Sequence, residues 1–297
     1  MLYVPSLLTL GQFKRLRLTL IYESAKNMKK DYIPVTREDS MLSEEGFIDK
    51  YWTTIWNDLD HPKNFAIRIE RREEFKIMAP YLNGLVQGSS ILDGGCGLGE
   101  WTVYYTRRAF QVIGLDISDT TIARLKERFP ECNFMVGDIR KTGFDQNFFD
   151  AYFSWGTFEH FEDGFEKPLR EARRLLKPGG YLFITVPFHN GRHFRRDRRP
   201  LHRWDENYDR NDGYKTEMRF YQWRLTQAEL ERELALHGFE VLELRPIHKS
   251  QGFYRTVKHE LHIEPESFWG KVAHILLYPF VPKKFVAHMI IGVGRKI

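Results

Sequence analysis

The chain has 297 residues, 42% of them apolar and 29% charged, with a formal net charge of +5. This suits one large α/β domain or two modest ones of globular type, and the charge is too modest to name a partner without knowing where it lies. Only Cys96 and Cys132 are present, which excludes a disulfide framework or a C-x-x-C motif and fits a reducing, cytoplasmic setting.

Residues 1–64 read as a helical extension. Leu16, Leu18, Leu20 and Ile21 interleave with Lys14, Arg15 and Arg17, a basic helix suited to a membrane or to the next domain. Because those basic residues follow the short apolar start, the pattern is not that of a secretory signal. No run approaches the roughly 18 apolar residues that cross a bilayer, so the chain is expected to be soluble or peripheral. Met41 to Trp56 mixes acidic residues with Tyr51, Trp52 and Trp56, and Phe65 to Leu85 has helical periodicity.

From Ser90 the pattern alternates. Strands are expected at 90–94, 111–116, 133–137, 150–155 and 180–186, with helices at 98–108, 119–129 and 164–176 between them. That order predicts a doubly wound parallel sheet, and strand cores apolar on both faces support it. Beyond Pro187 regularity lapses through residues 188–224, a gap long enough to be functional or disordered. Thr226 with Glu229 predicts a capped helix to Leu236, followed by a strand from Phe239. Residues 246–285 form a second insertion, and Met289 to Gly294 a last strand. No internal repeat appears, which excludes a solenoid. The preferred partition is therefore an extension, 1–64, and a domain, 65–297, with insertions at about 188–224 and 246–285.

The densest signal is Ile91-Leu92-Asp93-Gly94-Gly95-Cys96-Gly97-Leu98-Gly99-Glu100-Trp101, a strand that breaks into glycines and resumes as a helix. Such a turn lets backbone approach a ligand beside unpaired helix N–H groups. The dinucleotide pattern G-x-G-x-x-G fails in both registers, because Glu100 or Thr102 falls where the third glycine belongs. Asp116, about 20 residues beyond the turn, is placed to accept both ribose hydroxyls of a nucleoside. Its alternative use as a helix cap is already supplied by Ser118 and Asp119.

The form D-x-G-x-G-x-G resembles the first motif of the class I S-adenosylmethionine-dependent methyltransferases. Residues 150–161, with Glu159 and His160, and residues 170–180 resemble later motifs of the small-molecule, type 11-like branch, so the match covers roughly residues 88–187. Residues 220–244 and 288–296 match that family's tail more loosely. The resemblance implies a Rossmann-like, doubly wound seven-stranded sheet, mostly parallel with an antiparallel last strand, plus the N-terminal extension as a cap over the active site and lid insertions. It implies S-adenosyl-L-methionine as cofactor, held by Asp93, Gly95, Cys96, Gly97, Gly99, Asp116, Ile117, Asp138, Ile139, Ser154 and Trp155, with Asp138 bonding the adenine amine.

Such a donor leaves the enzyme to align the acceptor and exclude water, and a hydroxyl acceptor also needs a base. His160 is the first candidate for that role or for positioning, and His189 and His193 are the others; each also fits a plain structural histidine. His189-x3-His193 with His202, and His259-x2-His262 with Glu260, have metal-like spacings, but no Asp-Asn ligand pair follows the fourth strand and no metal is expected.

The stretch Arg192 to Trp204 is the most basic of the chain and is expected as a lid over the pocket. There Arg192, Arg195 and Trp204, with Tyr221, would bind an anionic acceptor, although Asp205, Glu206, Asp209 and Asp212 equally suit a solvated loop. A nucleic-acid groove is the weaker reading, because the charge is confined to one loop. Residues 271–285 are read first as a helix packed under the lid; a membrane-touching segment or a homodimer face would give the same pattern.

The expectation is methyl transfer, most simply O-methylation, to a small or medium-sized, free or conjugated acceptor. RNA or protein methylation is the rival enzyme reading, and a non-catalytic cofactor-binding scaffold the rival from another class.

Overall fold

The computed structural model describes residues 28–57, 65–197, 208–209, 213–214 and 216–297. In chain order these form β1 (Lys29–Val35), α1 (Arg37–Ser40), α2 (Glu44–Asn57), α3 (Phe65–Arg71), α4 (Glu73–Leu82), β2 (Ser90–Gly94), α5 (Glu100–Thr106), β3 (Gln111–Asp116), α6 (Asp119–Arg128), β4 (Asn133–Val136) and β5 (Phe149–Trp155). Then follow α7 (Glu166–Leu175), β6 (Leu176–Pro187), α8 (Gly191–Asp197), β7 (Tyr208–Asp209), β8 (Gly213–Tyr214), β9 (Glu217–Arg224), α9 (Gln227–Leu236), β10 (Phe239–Ile247), α10 (Lys249–Glu260), α11 (Phe268–Leu277), α12 (Lys283–Val286) and β11 (Met289–Lys296).

Seven strands make the central sheet in the order β10-β11-β6-β5-β2-β3-β4. Strands β2 to β6 pair in parallel, and β11 enters antiparallel between β6 and β10. Strand order reverses at β2, between β3 and β5, and in an open α/β sheet the crevice at that switch point takes the ligand.

Both faces are covered, and the strands divide their side chains between them with period two. Leu92, Tyr152, Leu182 and Ile184 join a core closed by Leu169, Ala172 and Leu175 of α7 and Leu230 and Leu234 of α9. Their neighbours Ile91, Ala151, Phe153 and Phe183 join the opposite core, closed by Ile69 of α3, Met78 of α4 and Trp101, Tyr104 and Tyr105 of α5. The expected capping box of α9 is present, with Thr226 and Glu229 each bonding the other's backbone.

Several local expectations change. The single helix expected over residues 65–85 is two, because Arg72 is extended and its guanidinium pairs with Glu100. Residues 188–224 are not irregular throughout: α8 forms at once, and β9 pairs antiparallel with β1. The N-terminal segment therefore contributes a strand as well as helices. Arg224 of β9 clasps Asp31 of β1 through Nε at 2.8 and 2.9 Å. Residues 246–285 carry three helices; α12 packs against α8 at the start of the basic stretch, with Phe285 against Gly191, whereas Phe268, Trp269, Ile275 and Leu276 of α11 are exposed, and residues 198–204 of the expected lid lie outside the described residues. No helix among the described residues is long and apolar enough to cross a membrane.

Candidate active site

The glycine turn is sewn to the next strand before any ligand is considered. Gly95 N–H and Cys96 N–H both donate to the Leu115 carbonyl at 2.7 and 3.0 Å, and Gly97 N–H donates to Asp116 Oδ2 at 2.9 Å. Gly95 and Gly97 have φ of 76° and 50°, values that side-chain-bearing residues resist. A Cβ would overlap the Thr157 side chain at Gly95, and at Gly97 would lie 2.9 Å from the Trp56 ring. The turn is thus pressed between the loop after β5 and the helix α2.

Asp93 sits beneath this turn at the end of β2 and holds the start of α5. Its Oδ2 accepts from Thr102 N–H at 3.1 Å and Thr102 Oγ1 at 2.8 Å, while Oδ1 is buried with no partner among the described residues. Burial pushes its carboxyl up to about 7. Asp116 at the end of β3 accepts from Gly97 N–H and, through Oδ1, from Ser118 N–H at 3.1 Å. Burial raises its pKa as well, against those hydrogen bonds. The cap of α6 is Ser118, which accepts from Thr121 N–H, so Asp116 faces the crevice instead of the helix.

The crevice is a pocket open to solvent at the switch point of the sheet. One wall carries Gly95, Asp116, Ile117, Gly137, Asp138 and Ile139; the other carries Trp52, Trp56, Trp155, His160 and Phe161. Acidic ends of adjacent parallel strands beside a Cβ-free turn suit a nucleoside, and the indole wall suits the rest of a donor and a flat or apolar acceptor. Asp93, Cys96, Gly97, Gly99 and Ser154 are not in the cavity wall. Cys96 instead packs with Val103, Ile122 and Leu125, and burial and the carboxylates of Asp116 and Asp93 hold its thiol protonated.

His160 stands at the wall's far end, where its orientation is fixed. Its Nδ1 lies 2.7 Å from the Tyr221 carbonyl oxygen, so Nδ1 must carry the proton and donate, which leaves Nε2 of the neutral ring as an acceptor. Burial lowers its pKa to about 4. Trp52 packs edge-on against the imidazole at 5.0 Å between centroids, and Tyr221 at 5.2 Å on another side. A second, smaller pocket, lined by Phe47, Tyr51, Arg219 and Tyr221, shares Ile48, Trp52 and His160 with the first.

Three further features shape the site. Arg140, 10% exposed in its side chain, donates to both oxygens of Asp138 at 2.8 to 3.1 Å and bonds Glu44 and Glu45 of α2. It therefore ties the carboxylate after β4 to the helix over the cavity. Trp52 and Trp56 stack on one another, centroids 5.2 Å apart, because i and i+4 share a face; that spacing was a readable signal. Glu159 is 1% exposed, its Oε2 has no partner among the described residues, and burial pushes it up to about 8.

The other sequence candidates lie elsewhere. Neither His189 nor His193 is in the cavity wall. His193 Nδ1 donates to the Phe188 carbonyl oxygen at 3.0 Å and Nε2 accepts from Arg192 Nη2 at 3.1 Å; burial and Arg224 hold its pKa far below the usual range. His189 is buried beside Asp197, Nε2 to Oδ2 3.7 Å. Arg192 turns inward, 6% exposed, toward Glu260 at 3.5 Å, whereas Arg195 is exposed. Tyr221 lines the second cavity, and Trp204 lies outside the described residues.

Comparison with known proteins agrees with this architecture. The Methyltransf_11 family model, a methyltransferase domain, matches residues 92–184, from β2 through β6. The chain is 34% identical over 111 residues to the tRNA (carboxymethyluridine(34)-5-O)-methyltransferase of Arabidopsis thaliana, covering 37% of this chain and 26% of that protein. It is also 34% identical over 103 residues to the demethylmenaquinone methyltransferase of Renibacterium salmoninarum, covering 34% and 43%. The chain thus spans well under two thirds of either relative. Among solved structures, phosphoethanolamine N-methyltransferase 2 of Haemonchus contortus, in complex with S-adenosyl-L-methionine, superposes with a TM-score of 0.54 at 18% identity, covering 86% of this chain and 60% of that one, a likeness of fold. With its glycine turn, its strand order and the match over residues 92–184, the chain carries a methyltransferase domain similar to those of the class I S-adenosylmethionine-dependent methyltransferases.

Proposed function

We propose that the protein transfers a methyl group from S-adenosyl-L-methionine to the oxygen of a small or medium-sized acceptor held between α2 and the carboxyl ends of β2 to β5. The observation that carries this reading is the cavity itself, in which Asp116 and Asp138 line one wall and the tautomer-fixed His160 the other. The donor, when bound, supplies an electrophilic methyl group on a sulfonium. Asp116 accepts from the ribose, and Asp138 and Ile139 hold the base, Asp138 after exchanging part of its bonding with Arg140. Trp52, Trp56 and Phe161 exclude water and pack on the acceptor. His160 Nε2 takes the acceptor's hydroxyl proton, while Nδ1–H keeps the ring aligned through Tyr221.

Relatives whose names state O-methyl transfer to a tRNA base and methylation of demethylmenaquinone frame the range of acceptors. What supports a small acceptor is that the pocket is lined by Trp52, Trp56, Trp155 and Phe161 and that Arg192 of the basic stretch turns inward.

The test is calorimetric titration with S-adenosylmethionine. The unsubstituted protein binds, and Asp116→Ala loses about 10- to 100-fold in affinity, the worth of a hydrogen bond to a charged group. Equal affinity in the variant would remove Asp116 from the donor site. Incubation of metabolite extracts with a labelled methyl donor then identifies the acceptor and the methylated atom.

A further inference from the structure

The largest cluster of exposed apolar side chains among the described residues is on and just after α11. Phe268, Trp269, Ile275 and Leu276 are 71%, 67%, 70% and 61% exposed, and Phe280 is 83% exposed. On a helix of 3.6 residues per turn, positions 268, 269, 272, 275 and 276 fall on one side, so this is a continuous apolar stripe aimed at solvent. The opposite side is already occupied: Gly270 and Ala273 are buried, and Ala273 packs with Phe253 and Val257 of α10 and Val286 of α12. Ser267 caps the helix by accepting from Gly270 N–H at 3.1 Å. A helix held firmly on one face and apolar on the other has an unpartnered surface, since single exposed apolar residues are ordinary but a stripe is not.

Charge selects the occupant. From Ser267 to Ile297 the chain carries five Lys or Arg and no Asp or Glu. Lys271 beside the stripe, and Lys284 just beyond Phe280, are exposed and form no ion pair with any described residue. A two-fold contact with a second copy would bring these like charges together, which disfavours self-association. An apolar stripe bordered by lysines instead matches the boundary of an anionic bilayer, with rings and aliphatic groups among the acyl chains and ammonium groups at the phosphates.

Topology places this surface on the functional side of the molecule. Helices α10 to α12 leave the carboxyl end of β10 and return at Met289, which pairs with Pro187 at the carboxyl end of β6. The cavity lies at the carboxyl ends of β2, β3 and β5, on the same edge of the sheet.

We propose that the α11 stripe docks the protein on an anionic lipid surface, turning the sheet edge that carries the cavity toward the membrane. The proposal stands apart from the choice of acceptor, since docking needs neither donor nor catalysis. The test is co-sedimentation of the full chain with phosphatidylcholine vesicles, with and without about one-third phosphatidylserine. The expected result is at least roughly tenfold more bound protein on the anionic vesicles. Phe268→Ser with Trp269→Ser and Leu276→Ser should abolish binding, and Lys271→Glu with Lys284→Glu should remove the preference for phosphatidylserine. Because all five positions are exposed, both variants should keep the far-ultraviolet dichroism and S-adenosylmethionine affinity of the parent. Absence of binding, or equal binding by the serine variant, would overturn the proposal. So would a dimer, seen by sedimentation velocity without lipid, that the serine substitutions dissociate.

Discussion

Replacing Glu159 with Gln should stabilise the protein, and by more as pH rises. The carboxyl is buried, and burial sets its folded-state pKa at about 8 against an ordinary value of 4.5. Between those values the folded carboxyl keeps its proton and the unfolded one has lost it. The unfolded chain then binds fewer protons, so stability falls as pH rises from about 4.5 to 8. At 1.36 kcal/mol per unit, the penalty at pH 7 is about 3 kcal/mol. Glutamine has the same shape and no proton to lose, so Glu159→Gln removes the penalty and its slope together. In a domain of this size that is roughly 5–10 °C in melting temperature near neutral pH. Urea unfolding of both proteins at pH 5 and pH 8 measures it, because Asp93, His160 and the other titrating groups act alike in both and cancel in the difference. The gain should be under about 1 kcal/mol at pH 5 and larger by about 3 kcal/mol at pH 8. A difference that does not change with pH would mean that Glu159 is ionised and paired in the fold, and the reasoning from burial would fail.

His160→Ala should lower kcat by about 10²- to 10⁴-fold, the usual worth of a general base, while S-adenosylmethionine affinity measured by calorimetry stays within about twofold. With its pKa lowered to about 4, this histidine should give the parent enzyme an acid limb well below pH 6.5, and a parent profile that falls near pH 6.5 would mean an exposed, ordinary imidazole. Gly252→Ala should cost about 1–3 kcal/mol or more in urea unfolding, because the new methyl group would overlap the Val286 carbonyl oxygen, which is backbone and cannot swing aside; an unchanged midpoint would show that α10 and α12 are not packed this closely.

The strands from β2 to β6 were legible because each carries its own evidence. A strand covered on both faces is apolar throughout, and the helix after it announces its start, as Ser118 does for α6 and Thr226 with Glu229 does for α9. The acidic strand ends were legible for the same local reason: Asp93 and Asp116 stand at fixed distances from a turn that only glycine can make. What could not be read locally is what crosses the molecule. The β1–β9 pair joins residues nearly two hundred positions apart, so each strand looks irregular without the other. The basic stretch illustrates the limit most clearly, because charge density says that arginines are present but not which way they point. Gly191 packs against Phe285 and seats α8 so that Arg192 turns to the interior while Arg195 meets solvent. The same limit hid Arg140, a single arginine two residues beyond Asp138 that acquires meaning only when α2 delivers Glu44 and Glu45 to it. Glu44 and Asp138 share one guanidinium, so the carboxylate that faces the pocket after β4 and the helix α2 above it are held by the same side chain. That side chain joins the two walls of the pocket, the strand end that carries Asp138 and the helix that carries Trp52 and Trp56, although it lines neither.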